Sequence, residues 1–498
     1  MKRLLSVIAS AAMLATLFVG TPKPVFAVSE STVTIGYWHS GGASSQCYTP
    51  DIVIRDEPWH PGPSSLEAWE DYYSNEINWA ISDALTHSGY AGDVSVDDGD
   101  TIKICSGEFG SSDDTGRFDG NMSDVSGEID PITLTIKGAG FSETHLFASG
   151  TRLFNFIRAN ITLEDFMLHD SDSAGDGNRN GGAVLMQHGD LVVNNVEFDD
   201  SDTFHLDGNG QAIAVYDGNL TVTNSYFDRG TAGTDGDEGG AIYVDASSGA
   251  QVSITNVYFD DTEVDGAGGA IAVHCASTTI DNAMFNNTYA TNVGGAIYAA
   301  ADGCDSSLTV SNSRFRYSST DNYGGGPGSS GGAIYVSDQD TTITDSAFGN
   351  NFADHGGAID FYSQTAHTFD VSGTHFFSNS SNWNGGAIRA ECANLTITGD
   401  DGRTEFYGES WFAGDASAVF RDNTAGIDGF DSEGVGGAIV LGADSCSEDV
   451  TTTIDKVVFE QNGAPWQGGA IASVQDGELN EYLSQIDISA SSFVDNSS

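Results

Sequence analysis

Basic residues are scarce in this 498-residue chain, which contains 17 Lys and Arg against 72 Asp and Glu. The resulting formal charge of −55 argues against nucleic acid and anionic lipid as partners, because both would be repelled. The same charge attracts cations, calcium above all. It does not imply disorder, since 39% of the residues are hydrophobic and 27 Phe and 17 Tyr are available for a core.

Long apolar runs are missing beyond the N-terminus. Lys2 and Arg3 precede an apolar run from Leu4 to Val19, and small residues lead up to Ala27, which is the pattern of a signal peptide cleaved after residue 27. An uncleaved anchor is the less favoured alternative, because the run is short for a membrane span. We therefore expect a secreted or cell-surface, extracellular protein with no integral membrane span once the signal peptide is removed.

Helix-period segments are absent after residue 95, and a repeat takes their place. Gly-Gly-Ala-Ile or a one-residue variant begins at residues 181, 210, 239, 268, 294, 331, 356, 385, 436 and 468. Between these lies a second pattern, [Ile/Val]-x-[Asn/Asp]-x-x-Phe, as in 193–198 and 254–259. Its first residues are mostly 25–34 positions apart, a period typical of solenoids.

These patterns predict an all-β fold, a single right-handed parallel β-helix of roughly a dozen coils over residues 96–498. Antiparallel hairpins would not return the same residue type to the same place in every period. Stacked coils would do so, and would align like residues in ladders about 4.8 Å apart. We expect Ile and Phe to form interior stacks, and Asn195 through Asn312 to form a ladder at one turn.

The paired glycines have a structural explanation in this fold. A coil corner needs a positive φ or a close backbone approach, and glycine tolerates both. The alternative is a set of phosphate-binding loops, which would need a following helix and nearby cations. Neither accompanies the glycines, so we interpret them as corners.

Three segments depart from the repeat. Residues 28–95 form an N-terminal extension with a predicted amphipathic capping helix at 64–89. The period nearly doubles around a loop insertion at 400–416, whose aromatic residues are Phe406, Tyr407, Trp411 and Phe412. These rings could contact a glycan or protein, and packing on the coil is an equally good interpretation. The chain stops inside a repeat, which favours a fragment over a last coil covered by a partner.

Six cysteines in an exported chain suggest disulfides. Cys275 and Cys304 follow consecutive Gly-Gly corners at equivalent turns, and Cys392 and Cys446 do the same, so we predict these two bridges. The remaining pair, Cys47 and Cys105, would join the N-terminal extension to the first coil. A zinc site is less favoured, because no Cys-x-x-Cys or Cys-x-x-His occurs.

No cofactor is required by these patterns, and calcium is the candidate that the acidic turns favour. Asp199, Asp228 and Asp260 follow the Phe of three consecutive coils, where a column of like charges would repel or share a cation. A second candidate is the loop that contains Asp176, Asn178 and Asn180, which have the spacing of calcium ligands. Gln187 stands where such a loop has its last acidic ligand. Solvated turn residues are the favoured alternative for both sets.

The Gly-Gly-Ala-Ile repeat, paired with Phe-x-x-Asn as in 348–351, 376–379 and 420–423, resembles that of polymorphic outer-membrane proteins. The predicted N-terminal helix followed by the runs at 98–109 and 134–140 is similar to the opening of pectin-lyase-like right-handed β-helices. This resemblance implies a surface-exposed or secreted β-helix, often an adhesin passenger. It is specific for the fold and weak for the activity.

We therefore predict a non-catalytic, monomeric scaffold for adhesion, with an unidentified surface glycan or protein as partner. The alternative is a polysaccharide-active enzyme, a lyase or glycoside hydrolase, on the same fold. Acids are too abundant to identify a catalytic pair. His205 and His274 fall in different parts of their coils, and the few cations show no grouping with acids at one level of the stack.

Overall fold

The computed structural model describes these parts of the chain: residues 32–36, 52–53, 101–104, 107–111, 132–148, 152–169, 180–199, 208–320, 328–399, 418–426, 434–442, 446, 449–474 and 483–498. They form a parallel β-solenoid of about ten turns, and no helix occurs among them. Every strand pairing is parallel, within one sheet of 33 strands and a second of seven. The all-β parallel β-helix prediction is confirmed.

The coils contribute strands to four ladders, which we name in chain order from the Gly-Gly corner. The first ladder contains the strands that follow the corner, four of which continue into the second ladder: Phe154–Ile157, Val184–Gln187, Ile213–Tyr216, Ile242–Thr255, Ile271–Asp281, Ile297–Ala300, Ile334–Ser337, Ile359–Ser372, Ile388–Thr398, Ile439–Gly442 and Ile471–Val474. The second ladder adds Thr32–Gly36, Ile52–Val53, Thr101–Ile104, Ile132–Lys137, Ala159–His169, Leu191–Asp199, Leu220–Thr223, Ser307–Ser311, Asp340–Thr344, Val450–Asp455 and Leu483–Ser489.

The third and fourth ladders complete the coil. The third contains Gly107–Ser111, Thr144–Ala148, Tyr226–Asp228, Tyr258–Asp260, Met284–Asn286, Arg314–Arg316, Ala347–Gly349, His375–Phe377, Ala418–Arg421, Val457–Glu460 and Ser492–Val494, together with the ends of Ala159–His169 and Leu191–Asp199. The fourth, which is the seven-stranded sheet, contains Thr231–Glu238, Glu263–Ala267, Tyr289–Ala290, Ser319–Thr320, Phe352–His355, Ser380–Asn384 and Thr424–Ala425.

Strand pairing begins earlier than the predicted start of the β-helix at residue 96. Thr32–Gly36 pairs in parallel with Thr101–Ile104, with Ile35 opposite Ile104, and also with Ile52–Val53. Part of the N-terminal extension therefore adds to the second ladder. The predicted helix at 64–89 lies outside the described residues.

Apolar side chains repeat along the interior as predicted. The Ile that follows each corner is fully buried in eight coils: Ile213, Ile242, Ile271, Ile297, Ile334, Ile359, Ile388 and Ile439. On the third ladder, rings from Phe198 to Phe493 stack in an unbroken column with centroids 4.6–5.1 Å apart. Burying one such side chain per coil stabilises the stack through its apolar area and through ring contacts.

Asparagines hold two turns of the coil. Between the second and third ladders, Asn195, Asn224 and Asn256 have positive φ values, and each amide donates to a side chain of the preceding coil. Inside the stack, the Asn of Phe-x-x-Asn forms a second ladder in which Asn351 Nδ2 donates to Asn379 Oδ1 at 2.9 Å. Asn379 is fully buried and donates to the following coil in the same way, so these polar groups are satisfied in the core.

The two glycines of each corner serve different purposes. The first has a positive φ, as Gly268 does at 72°. The second lies against the next coil, and a Cβ on Gly269 would approach the carbonyl oxygen of Gly295 to 2.1 Å. Both properties favour glycine, although Gln211 takes the second position in one coil, and they support the interpretation of these glycines as corners.

Two disulfides join neighbouring coils. Cys275 pairs with Cys304 and Cys392 with Cys446, with Cα atoms 5.3 and 5.1 Å apart. Both are the bridges predicted from equivalent turns, whereas Cys47 and Cys105 lie outside the described residues. The parts of the chain that the structure describes contain no helix able to span a membrane.

Candidate functional site

The outer face of the first ladder carries a row of aromatic rings. Strand residues alternate between the two faces of a sheet, so the second and fourth residues of each first-ladder strand point outward. Five of them from consecutive coils form a continuous row, which we call the ring column: Tyr216, Tyr243, His274, Tyr298 and Tyr335. Their centroids are 5.3–5.8 Å apart and successive rings are inclined by 14–59°.

Small neighbours allow these rings to lie close to the sheet. Ala214 and Ala272 occupy outward positions in the coils on either side of Tyr243, and the three form one buried cluster. Tyr216 and Tyr298 pack against that cluster while remaining partly exposed. The ring column is therefore supported from below and open to solvent along part of its surface.

The phenol groups at the N-terminal end of the column are held by amides. Asn180 Nδ2 donates to the Tyr216 hydroxyl. Arg152 donates to the backbone oxygens of Asn180 and Gly181, at 2.7 and 2.8 Å, and so fixes this segment. Burial, with the nearby Asp245 carboxylate, raises the pKa of Tyr216 to about 12. The phenol therefore stays protonated at neutral pH and can donate or accept a hydrogen bond.

His274 joins three coils in the middle of the column. Its Nε2 lies 2.5 Å from Glu238 Oε2, and its Nδ1 lies 2.5 Å from Asp302 Oδ2. Burial opposes the charge on the ring, but the two carboxylates outweigh it and raise the pKa of His274 to about 9. The imidazolium is thus present at neutral pH and donates to both acids.

An arginine and two carboxylates extend the face beyond Tyr335. In register along the ladder, Tyr335 is followed by Asp360 and then by Arg389. Arg389 Nη1 lies 3.3 Å from Asp360 Oδ2, and its Nη2 lies 3.9 Å from Glu391 Oε2. The Glu391 carboxylate lies over Gly442 of the next coil, where a Cβ would approach Oε2 to 2.0 Å.

Two polar atoms in this group are buried without a hydrogen-bond partner among the described residues. They are Oδ1 of Asp360, whose side chain is fully buried, and Nδ1 of His355. Burial and the charge of Arg389 lower the pKa of His355, so its imidazole is neutral at pH 7. A buried acceptor of this kind is costly unless a ligand or water satisfies it, and it marks the group as a candidate binding position.

This face is absent from the sequence predictions, which contain no grouping of cations with acids. Arg389 nevertheless contacts Asp360 and Glu391, and His274 contacts Glu238 and Asp302. A signal was present in the residues after each Ala-Ile, which read Tyr, Ala, Tyr, Tyr, Asp and Arg from residue 243 to residue 389. Aligning the coils at the Gly-Gly corners would have placed these side chains on one face.

The predicted calcium ligands lie elsewhere. Asp228 and Asp260 are partners in register on the outer face of the third ladder, and Asp199 precedes them there. Asp260 accepts hydrogen bonds from Asn286 Nδ2 at 2.6 Å and from the Tyr226 hydroxyl at 3.4 Å. Across the described ranges, no three His, Cys, Asp or Glu side chains converge on a common metal position.

Other predicted site residues fall partly outside the described residues. Asn180 belongs to the ring-column face, but Asp176 and Asn178 are not described, nor are the four aromatic residues of the 400–416 loop. A pocket of about 240 Å³ opens beside Phe141, Glu197 and Tyr226. Its asparagines are already bonded within the turn ladder, so it has fewer free polar groups than the ring-column face.

No family model and no curated protein matches the sequence. Among solved structures, the chain is similar to the catalytic unit of a GH87 α-1,3-glucanase from Streptomyces thermodiastaticus, with 11% identity and a TM-score of 0.33, covering 85% of this chain and 66% of the glucanase.

Two further solved structures are similar at the same low level. A PL6 family polysaccharide lyase from Pseudopedobacter saltans has 11% identity and a TM-score of 0.32, with 85% of this chain and 92% of the lyase covered. The A-module of a mannuronan C-5 epimerase from Azotobacter vinelandii has 10% identity and a TM-score of 0.24, with 84% and 94% covered. The fold assignment therefore rests on the ladders themselves, and the likeness to outer-membrane repeats remains an interpretation of motifs.

Proposed function

We propose that this protein is an extracellular β-helical scaffold that binds an extended glycan along the ring column. The observation that carries the proposal is the row of five rings on one outer face. Four coil steps of about 4.8 Å make this row roughly 20 Å long, enough for several sugar units in line. Aromatic faces are electron-rich and pack against the C–H groups of sugar rings.

Polar groups beside the rings complete a surface suited to carbohydrate. Glycan sites combine aromatic faces with a small number of positioned donors and acceptors. Here Tyr hydroxyls, the Asn180 amide and the carboxylates around His274 supply them. The two disulfides are compatible with an oxidising extracellular compartment. Binding of a surface glycan would account for the adhesive role that the sequence predicts.

Binding to a panel of soluble polysaccharides and oligosaccharides tests this proposal. We expect Tyr298→Ala and Tyr335→Ala each to weaken binding of the best ligand about tenfold or more, because each removes a stacking face. Tyr258→Ala is the matched control, since Tyr258 is also partly exposed but stacks on Tyr226 on the third ladder. Absence of binding to any glycan, or equal losses in all three variants, would overturn the proposal.

A polysaccharide-cleaving enzyme is the second candidate, and the group around Asp360 favours it. A buried carboxylate with one unpartnered oxygen lies there beside Arg389 and Glu391, and glycoside hydrolysis uses a pair of positioned carboxyl groups. The measurement is release of reducing ends or unsaturated products from the polysaccharides that bind.

Cleavage through Asp360 requires that Asp360→Asn abolish product release while binding persists. Glu460→Gln is the control, because it also removes a carboxylate paired with an arginine, Arg421, but on the third ladder. If the wild-type protein binds glycans and releases no product, the scaffold remains and the enzyme is excluded.

A further inference from the structure

The charges around the ring column are unbalanced. The described cations there are already engaged: His274 by two carboxylates, Arg389 by two carboxylates and Arg152 by backbone oxygens. The carboxylates outnumber them and are five: Glu238, Asp245, Asp302, Asp360 and Glu391. The face thus keeps a negative potential of its own, within a chain whose total charge is −55.

Asp245 is the carboxylate of this set that has no partner. It lies in register between Tyr216 of the preceding coil and His274 of the next. The residue is half-buried, and its carboxylate forms no hydrogen bond or ion pair with the described residues. After burial, its charge is the next cause of the raised pKa values of both Tyr216 and Tyr243. An unpaired carboxylate therefore stands next to Tyr216 in register and two residues along the strand from Tyr243.

Asp360 supplies a second, independent observation at the other end of the face. It follows Tyr335 in register, its side chain is fully buried, and its Oδ1 has no partner among the described residues. The cation that contacts this carboxylate is Arg389, whose Nη1 lies 3.3 Å from Oδ2. The face therefore has an unsatisfied acceptor at one end and an unpaired carboxylate near the other, with aromatic rings between them.

We propose that the ring column selects glycans that carry free amino groups, in preference to neutral glycans and polymers of uronic acids. This inference rests on the proposed glycan binding. An ammonium group is attracted to the face of a tyrosine ring and to a neighbouring carboxylate. A uronate would instead meet the field of Asp245 and its neighbours, and a neutral sugar would leave that carboxylate unpaired.

The test compares three oligosaccharides of equal length at constant ionic strength and mildly acid pH. They are a glucosamine oligomer with free amines, its fully N-acetylated counterpart and a galacturonic acid oligomer. We expect the amine to bind the wild-type protein about tenfold or more tightly than the acetylated form, and the uronate most weakly. Equal binding of the amine and the acetylated oligomer, or preference for the uronate, would overturn the selectivity while leaving glycan binding intact.

Matched variants separate a site from general attraction to an acidic protein. Asp245→Asn should reduce the preference for the amine several-fold. Asp370→Asn removes the same charge from a half-buried aspartate on the second ladder. The Asp370 carboxylate also forms no hydrogen bond or ion pair with the described residues, so this variant should leave the preference unchanged. Equal losses in the two variants would overturn the proposal, because they would indicate non-specific attraction.

An oligolysine of the same charge distinguishes a glycan from a basic peptide. We expect it to bind more weakly than the amino sugar and to be insensitive to Tyr298→Ala, since it has no sugar faces to stack on the rings. Tight binding that depends on Tyr298 and Asp245 would contradict the assignment to amino sugars. Failure of all three oligosaccharides and of the wider polysaccharide panel would instead refute the proposed function itself.

Discussion

Inward and outward positions of the first-ladder strands can be compared coil by coil. The inward residue after the corner is Ile in nine coils, and eight of these nine are fully buried. The outward residue beside it changes from Ala to Tyr, Asp, Arg and Val along the same stack. An inward side chain must fill the same space in every coil, so packing repeats it. Coil packing places no such limit on the size of the outward side chains, so these positions can vary from coil to coil.

The two rows of aromatic rings show the same contrast in their geometry. The interior Phe rings are nearly parallel, with interplanar angles of 1–15°. Rings of the ring column are inclined by up to 59° and lie farther apart. Coil stacking alone dictates the interior arrangement. The outer arrangement depends on hydrogen bonds and charges, and Tyr216, Tyr298 and Tyr335 remain partly exposed there.

The sharpest test of this contrast exchanges one ring from each row for alanine. Phe315→Ala should lower the free energy of unfolding by about 3–5 kcal/mol, because it leaves a cavity between two stacked neighbours. Tyr298→Ala should cost roughly 1 kcal/mol, since that ring is partly exposed. Denaturant unfolding measures both. Similar losses would mean that the ring column is structural in the way the Phe column is.

Changing the pH tests the ionisable contacts of the outer face, whereas the interior contacts of Ile, Phe and Asn do not titrate. The pKa of His274 is about 9 in the folded protein and 6.5 in the absence of its partners. The stability that the charged His274 contributes through its two carboxylates is therefore fully present below pH 6.5 and is lost as the pH rises through about 9. We expect this loss to be roughly 1 to 2 kcal/mol, because Asp302 is half-exposed and partly screened.

Thermal unfolding across this pH range provides the measurement. The melting temperature of the wild-type protein should fall more steeply than that of His274→Gln. His188→Gln is the control, since His188 is largely exposed and has one contact of 3.4 Å with Asp217. Parallel pH profiles for the wild-type protein and His274→Gln would show that the contacts with Glu238 and Asp302 contribute nothing to stability.

The same contrast explains what could be predicted from the sequence. Ile, Phe, Asn and the paired glycines recur because each coil imposes the same environment, so periodicity revealed the interior, the corners and two disulfides. The ring column follows no period. His274 reaches Glu238, 36 residues earlier, and Asp302, 28 residues later. Because the Gly-Gly corners are 25 to 51 residues apart, such contacts become visible only when coils are aligned in register.

The smallest expected effect concerns the outer face of the third ladder, where the sequence predicts calcium. Burial raises the pKa of Asp228, and the charges of Asp199 and Asp260 raise it further. The charge of Arg229 lowers it but does not outweigh them. The ionised form of Asp228 is therefore unfavourable in the folded state. The stability that this residue contributes should be greatest below the pKa it has in the unfolded chain, and should decline as the pH rises through its higher pKa in the folded protein. At neutral pH, Asp228→Asn should raise the melting temperature by a degree or two in the presence of chelator.

Calcium provides the discriminating measurement on this column. If the ion bridges Asp228 and its neighbours, adding it should raise the melting temperature of the wild-type protein more than that of Asp228→Asn, since the variant lacks one ligand. An unchanged melting temperature on adding chelator would refute the calcium prediction. The hydrogen bonds that Asn286 and Tyr226 donate to Asp260 would then be the means by which this column disperses its charge. In that case the outer face of the third ladder, like its interior, would have a structural role only. It would then differ from the outer face of the first ladder, for which we propose ligand binding.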